Sequence, residues 1–263
     1  IKTKDPTNQF EGTSEITIGD YGTQNLGIAF GGPLKNEKLK YRLVLRTDYA
    51  DGFRKNIFLN KSDTSKKDEL TLRYKLNWNF NETTEINFLI SKVDMDDPAD
   101  IWTIDGSLNT LSDRPGMDSQ ETNSYGVKVT KNFNNFDLQS FTSATKTDVI
   151  FSYDADWGNP ESHFPYTYNY FSETLRKRDT FNQEIRFLSK NTDFSEKKPF
   201  EWVFGFDFSE LDESNVTKDD GIYGDPSDPF GPYASESLIS RNYKSENLSV
   251  FGNIDYFLTD ETK

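Results

Sequence analysis

Few side chains in this 263-residue sequence could act as nucleophiles or as soft metal ligands. There is no cysteine and only one histidine, His163. Thiolate metal sites, disulfides and cysteine nucleophiles are therefore excluded, and neither a histidine-rich metal site nor a Ser/His/Asp triad is expected. Carboxylates dominate, with 44 Asp and Glu against 30 Lys and Arg and a net charge of -14. Because phosphate binding needs clustered cations, this balance argues against nucleic acid as a partner.

Three groups of carboxylates are candidates for catalysis or ion binding. Glu184, Glu201 and Asp207 could form a glycosidase pair, but the sequence sets no separation between them, and charges on a wet strand face explain them. Two acidic groups in predicted loops could supply oxygen ligands to Ca²⁺, namely Asp94, Asp96, Asp97 and Asp100, and Asp219, Asp220, Asp225 and Asp228. The spacing of the second group does not fit an EF-hand, and solvated acidic loops account for both. We therefore predict no enzyme activity, no cofactor and no metal.

An aromatic-rich segment, residues 157–171, is the candidate ligand-binding surface. Its candidate contact residues are Trp157, His163, Tyr166 and Tyr168. Rigid aromatic side chains bind flat or sugar-like ligands at low entropic cost. The alternative is that residues 166–171, which alternate in polarity, simply extend a strand, with His163 an ordinary exposed loop residue.

The segments that carry these residues are predicted to be β-strands. Within residues 70–80 the even positions are all apolar: Leu70, Leu72, Tyr74, Leu76, Trp78 and Phe80. The odd positions are all polar: Thr71, Arg73, Lys75, Asn77 and Asn79. A repeat of two residues gives a strand with one apolar and one polar face. The same alternation recurs elsewhere and predicts about ten strands.

The predicted links between these strands alternate in length. Short links are expected at residues 33–38, 81–83, 134–135 and 191–199. Long polar links are expected at residues 51–68, 95–121, 154–179 and 212–244. Strands that run up and down place the short turns at one end and the long loops at the other. This asymmetry, with strands of about 10 residues, is typical of an outer-membrane β-barrel.

The polar face of these strands carries charge on nearly every strand: Arg42, Arg46, Arg73, Lys75, Lys128, Glu184, Arg186 and Asp207. Such charges are costly in a dry core, whereas a water-filled lumen accommodates them. We therefore predict that the apolar face meets lipid. A soluble sandwich would instead seal Leu72, Trp78, Phe204 and Phe206 in a dry interior. In a membrane barrel, lysine at Leu72 or Phe204 should block assembly, and lysine at Asn77 should be tolerated.

Four segments resemble the TonB-dependent receptors of Gram-negative outer membranes, in that family's order. IKTKDPTNQFEG (residues 1–12) resembles the junction between the plug and the first barrel strand. GDYGTQNLGIAFGGPL (residues 19–34) is similar to the first hairpin with its Gly-Pro-Leu turn, and ADGFRKN (residues 50–56) resembles the mouth of the second long loop. SVFGNIDYFLTDETK (residues 249–263) resembles a strand and Leu-Thr-Asp turn of the middle barrel.

The resemblance implies an all-β fold, a transmembrane antiparallel β-barrel in which about ten up-and-down strands of about 22 are present. The turns would be short and periplasmic and the loops long and extracellular. Residues 1–9 would be the end of the plug domain and the plug-barrel junction, and residues 10–263 the N-terminal portion of the barrel. The energy-coupling box and most of the plug would precede residue 1, so the chain is expected to be an internal fragment.

The function implied by the resemblance is energy-coupled nutrient uptake by a receptor in the cell outer membrane of a Gram-negative bacterium. The implied partners are outer-membrane lipid, a TonB-type inner-membrane energy-coupling protein acting through the missing N-terminal region, and a small-molecule nutrient. Siderophore-iron complexes, cobalamin and oligosaccharides all remain open as cargo. The alternative from another class is a soluble or secreted β-rich carbohydrate-binding module with residues 157–171 as its platform, and an extracellular hydrolase comes third.

Overall fold

The computed structural model describes residues 3–35, 37–190 and 200–256. These residues form twelve strands: β1 (Glu11–Ile18), β2 (Gln24–Lys35), β3 (Leu39–Ala50), β4 (Lys55–Asn56), β5 (Lys67–Asn81), β6 (Thr84–Pro98), β7 (Asn109–Thr110), β8 (Met117–Asn132), β9 (Phe136–Asp154), β10 (Thr167–Ser189), β11 (Phe200–Gly224) and β12 (Tyr233–Tyr256). Within the same residues no helix is long and apolar enough to cross a membrane.

Ten of these strands form one sheet in which every strand is antiparallel to its neighbours. Its order is β1-β2-β3-β5-β6-β8-β9-β10-β11-β12, so each strand pairs with the next long strand along the chain. The two remaining strands, β4 and β7, are two-residue pieces that pair in parallel with each other. The ten up-and-down strands are therefore confirmed. The short link predicted at residues 191–199 lies outside the described residues.

Strand length is where the sequence-based boundaries are wrong. The last three strands contain 23, 25 and 24 residues, well beyond the expected length of about 10. The predicted loops at residues 154–179 and 212–244 shrink to residues 155–166 and 225–232, and the one at residues 95–121 shrinks to residues 99–116. The upper parts of β11 and β12 are polar on both faces, so they carry no period-two signal although their backbone hydrogen-bond ladders continue.

The sheet is a single layer with one apolar and one polar face. Leu76 lies opposite Phe88, which lies opposite Val127, and a similar row continues to Phe206 on β11. We call this set of outward positions, between the short-turn ends and about halfway up the strands, the apolar band. Phe206 is 42% exposed and Leu72 is 37% exposed. Within the described residues the only buried apolar residue is Ala99, so the sealed interior of a sandwich is wrong for this part of the chain.

The polar face is contacted by the N-terminal segment. Lys75 Nζ donates to Asp5 Oδ1 at 2.7 Å and to the carbonyl of Thr3 at 3.1 Å. Lys40 Nζ donates to Asn8 Oδ1 at 2.9 Å. Register pairing places Lys75 on the same face as the other predicted lumen charges. Residues 3–11 thus lie where a chain entering a barrel lumen would lie.

Three polar side chains interrupt the apolar band on β9 and β10. Gln183 is paired with Thr142 on one side and with Phe208 on the other. Thr142 Oγ1 donates to Gln183 Oε1 at 2.5 Å, and Gln183 Nε2 donates to Ser140 Oγ at 3.0 Å. The three residues therefore satisfy part of one another's hydrogen bonding in an otherwise apolar surface.

Aromatic residues gather at the short-turn end of the sheet. Trp78 and Phe80 meet edge to face with ring centroids 5.0 Å apart. Phe133 stacks on Phe136 at 4.7 Å, across the turn between β8 and β9.

Candidate functional site

The connecting segments at the loop end are joined by a hydrogen-bonded cluster of small polar side chains around Asp100, which we call the knot. Asp100 Oδ2 accepts hydrogen bonds from Asn56 Nδ2 at 2.9 Å and Thr110 Oγ1 at 2.7 Å, and its Oδ1 accepts one from Ser112 Oγ at 3.0 Å. All four residues are buried. The pairing of β4 with β7 brings Asn56 and Thr110 side by side, because Asn56 and Thr110 are register partners. The knot joins residues 51–66 to residues 99–116.

A second buried carboxylate group lies where β9 ends. Asp154 and Asp156 are both buried, and Asp113 is partly buried beside them. Burial, followed by a hydrogen bond with the Asp156 carboxyl, raises the pKa of Asp154 to about 8. Burial also raises the pKa of Asp113, although the amide of Asn169 donates to its Oδ2 at 2.8 Å. This group joins residues 111–116 and 155–166 to β10.

One ion pair completes the links at this end. Arg114 makes a two-point contact with the Asp220 carboxylate on β11, and its guanidinium lies 4.3 Å from the ring centroid of Phe171 on β10. Hydrogen bonding to Arg114 lowers the pKa of Asp220. Because both side chains are about 40 to 50% exposed, the pair adds orientation more than stability.

Aromatic rings form a cluster on the polar face near the top of β10 and β11. His163 meets Tyr168 edge to face at 5.1 Å, Tyr168 lies 5.0 Å from Tyr170, and Tyr168 lies 6.4 Å from Tyr223. We call these four residues the ring cluster. Tyr168 and Tyr223 are register partners, so the β10–β11 ladder sets their contact. Gly221, which is paired with Tyr170, leaves room for the Tyr170 ring, since a Cβ at position 221 would collide with that ring.

The structure brings together only part of the candidate binding surface. His163 and Tyr168 lie in the ring cluster, whereas the ring contacts of the described residues do not join Trp157 or Tyr166 to it. Trp157 and Tyr166 lie in the loop, both exposed. The expected strand extension is also present, because β10 begins at Thr167. Sequence reasoning missed Tyr223 as a member of the ring cluster. The only feature of the sequence that points to it is its place on the same strand face as Gly221.

The acidic groups considered for Ca²⁺ are dispersed. Asp94 pairs with Lys92, Asp97 accepts from the Asp68 amide, and Asp100 belongs to the knot. In the second group, Asp219 accepts from Ser172, and Asp225 accepts from Ser227. The part of the chain that is described contains no group of three or more His, Cys, Asp or Glu that could hold a metal ion.

The carboxylates considered as a glycosidase pair belong to the polar face of the sheet. Glu184 pairs with Arg186 two residues away on β10, and Asp207 lies opposite Glu184 on β11. Both residues lie on the polar face in a row that also contains Lys128. A row of mixed charge on a wet surface accounts for them without a reaction.

No family model matches the sequence. The structure is similar to that of the ferric yersiniabactin uptake receptor FyuA of Yersinia pestis, with a TM-score of 0.67 and 13% identity over 98% of this chain and 46% of that chain. It is similar to the siderophore receptor PiuA of Acinetobacter baumannii, with a TM-score of 0.63 and 12% identity over 97% of this chain and 41% of that chain.

The structure is also similar to the unliganded ferric citrate transporter FecA, with a TM-score of 0.60 and 14% identity over 97% of this chain and 37% of that chain. This chain thus spans less than half the length of each of the three receptors. These neighbours are transport receptors rather than enzymes. Identity this low establishes the fold and no more. The described strands have the fold of part of the barrel of TonB-dependent outer-membrane receptors.

Proposed function

We propose that this chain forms part of the barrel wall of an outer-membrane receptor that imports a scarce nutrient, with energy from a TonB-type inner-membrane protein. In this proposal residues 1–9 end the plug domain and residues 10–263 belong to the wall. The observation that carries it is the division of the sheet into two faces with different surroundings. The apolar band has nothing packed on it within the described residues, whereas residues 3–11 are held against the polar face.

We infer that the ring cluster is where the nutrient first binds. It lies at the loop end, on the face that a lumen would enclose, and it offers three phenol rings and one imidazole in contact. Among siderophore-iron complexes, cobalamin and oligosaccharides, we favour an iron chelate as cargo, because the similar receptors are named for ferric yersiniabactin and ferric citrate. In this proposal iron is cargo and the protein needs no cofactor.

Lysine substitutions on opposite faces of β11 test the wall. Phe206→Lys should prevent assembly in the outer membrane, because lysine near the bilayer midplane costs about 2 to 4 kcal/mol. Ser209→Lys, three positions along the same strand but on the polar face between Asn182 and Asn247, should assemble normally. The readout is the folded fraction in outer-membrane preparations of cells that express the whole protein. Normal assembly of Phe206→Lys would contradict the proposal.

Tyrosine substitutions test the ligand site. Tyr168→Ala and Tyr223→Ala should each weaken binding of a ferric chelate about tenfold, because each removes a ring surface. Tyr166→Ala is the matched control, since Tyr166 lies outside the ring cluster. Binding is measured by fluorescence quenching with ferric citrate and a ferric siderophore, beside cobalamin and a maltooligosaccharide. Tight binding of only the last two probes would overturn the choice of cargo but not the wall.

A further inference from the structure

The carboxyl groups of Asp154 and Asp156 hold residues 155–166 against β10. Asp156 Oδ1 accepts a hydrogen bond from the Tyr170 amide at 2.8 Å, and the Ala155 amide donates to the Tyr170 carbonyl at 2.8 Å, so both bonds join this loop to the strand. Asp154 Oδ1 accepts one from the Asp156 amide at 3.2 Å. The Asp156 side chain is fully buried and Asp154 is 5% exposed. The other oxygen of each carboxylate, Oδ2, is buried and accepts no hydrogen bond.

Two buried carboxylates with open acceptor atoms need a donor or a positive charge between them. The charged side chains nearby do not supply that donor or positive charge. Asp113, in the preceding loop, adds a third carboxylate whose Oδ1 also lacks a donor. Arg114 is the nearby cation, and it is committed to Asp220 on β11.

His163 is the remaining titratable group beside this pair. Its Nε2 lies 3.2 Å from the carbonyl oxygen of Asp156 and 3.5 Å from Asp156 Oδ2, so its closer contact is with the backbone. Asp154 and Asp156, by contrast, are both buried and stand two residues apart, the Asp156 amide donates to Asp154 Oδ1, and Oδ2 of each carboxylate has no donor. A proton held between the two carboxylates would supply the missing donor.

We propose that Asp154 and Asp156 share one proton, and that this proton latches the loop of residues 155–166, which carries Trp157, His163 and Tyr166, onto β10. With the proton bound, the pair carries one negative charge and an internal hydrogen bond. Without it, two buried negative charges face each other beside Asp113, and the contact with the Tyr170 amide is lost as the loop opens. This inference does not depend on the proposed function, because its measurement is loop opening and not uptake.

The direction of the pH dependence follows from linkage. The closed loop holds the proton with a pKa of about 8, whereas an open, solvated Asp154 has a pKa near the ordinary 3.8. The closed form therefore binds more protons between these two values. Opening should become more favourable by up to about tenfold per pH unit as the pH rises from about 4 to 8, and should level off above that.

Hydrogen exchange of the whole protein in detergent micelles tests the latch. The readout is the protection factor of peptides covering residues 155–170, including the Tyr170 amide, after correction for intrinsic exchange. In the wild type we expect protection to fall at least tenfold between pH 6 and pH 8. Asp154→Asn should have equal protection across that range, because an amide donates without titrating. Asp156→Asn, which removes the facing charge, should also lose the pH dependence.

Two further arms distinguish a shared proton from a charge on His163 and from a bound cation. His163→Gln should keep the wild-type pH dependence, and its disappearance in this variant would overturn the proposal. Addition of millimolar Ca²⁺ at pH 8 should leave protection unchanged. Restored protection in the wild type but not in Asp154→Asn would mean that a cation, and not a proton, belongs between the carboxylates. Flat protection in the wild type, or an unchanged slope in both Asp variants, would also overturn it.

Discussion

The apolar band and the loop end of this sheet are held together by opposite means. In the apolar band, large apolar side chains point away from the protein, and Asn77, on the opposite face, is the one buried polar residue described at this height. At the loop end the buried polar side chains are Asn56, Thr64, Asp100, Thr110, Ser112, Ser152, Asp154, Asp156, Asn159 and Ser172. The first region relies on its surroundings to cover apolar surface, and the second covers polar groups with one another.

The two means of support determine which changes each region should tolerate. A polar group removed from the loop end leaves buried donors or acceptors without partners, which costs more than the lost bond itself. A polar group removed from the apolar band leaves a surface that suits hydrocarbon better. The same kind of substitution should therefore have opposite signs in the two regions.

The largest effect is expected at the centre of the knot. Asp100→Ala removes the acceptor of Asn56, Thr110 and Ser112 at once, so we expect opening of the loop end to become easier by about 3 to 5 kcal/mol. The measurement is hydrogen exchange of residues 55–64 and 108–112. Asp94→Ala is the control, since Asp94 pairs with Lys92 on an exposed face and should change little. Equal exchange in the two variants would mean that the knot does not hold the loop end.

The polar face opposite the apolar band gives the next effect. Lys75 is 15% exposed and holds both Asp5 and the Thr3 carbonyl. Lys75→Met should detach residues 3–7, since Lys40 still holds Asn8, and cost about 1 to 2 kcal/mol, a range lowered because Asp5 is largely exposed. Faster proteolysis of residues 3–7 is the readout. Lys67→Met on the same strand, whose partner Glu69 is its neighbour two residues along, should not release this segment.

Gln183, a polar residue in the apolar band, tests the sign of the stability change on removing a polar group there. Gln183→Leu should leave assembly unchanged or stabilise the folded barrel by up to about 1 kcal/mol, because an amide facing hydrocarbon is replaced by an alkyl group. Thr142 and Ser140 each lose a side-chain partner, but both hydroxyls are small and weakly polar compared with the amide that is removed. The measurement is the urea midpoint of unfolding in lipid vesicles. A destabilisation as large as that of Asp100→Ala would remove the proposed difference between the regions.

The smallest effect is expected for a paired charge above the apolar band. Lys146 and Asp179 are 74% and 62% exposed and 3.7 Å apart. Lys146→Ser should change stability by less than about 0.5 kcal/mol, because exposed ion pairs contribute little. The urea midpoint should be unchanged within error. A large loss would show that surface charge, and not the buried knot, stabilises the upper part of the sheet.

The apolar band can be predicted from the sequence, and the loop end cannot. The two faces of the sheet have different surroundings, so apolar and polar residues alternate along residues 70–80 and 202–208. This period of two is visible in a single sequence. The knot joins Asn56 to Asp100, 44 positions apart, through types common in any loop. The upper parts of β11 and β12 read as loop because water on both faces erases the alternation. The roles of Trp157, His163, Tyr166 and Tyr168 stay predictions.

One position in the apolar-band region also departs from the pattern. Asn77 reads as a tolerant lumen residue, yet it is 8% exposed, and its amide donates to Asn87 Oδ1 at 2.8 Å. Alternation assigns a side chain to a face but does not say how crowded that face is. Asn87 on β6 engages Asn77 here, so lysine at Ser209 is a cleaner control than lysine at Asn77.

In the proposed receptor, the unusual height of β10 and β11 would separate capture of the nutrient from its passage through the barrel. About 15 residues lie between Phe208, at the top of the apolar band, and Tyr223; at roughly 3.3 Å each and a tilt near 45°, this is about 35 Å of elevation. A nutrient held by the ring cluster would be caught well outside the bilayer. It would then have to descend a long hydrated shaft, so tight capture alone would not set the rate of entry.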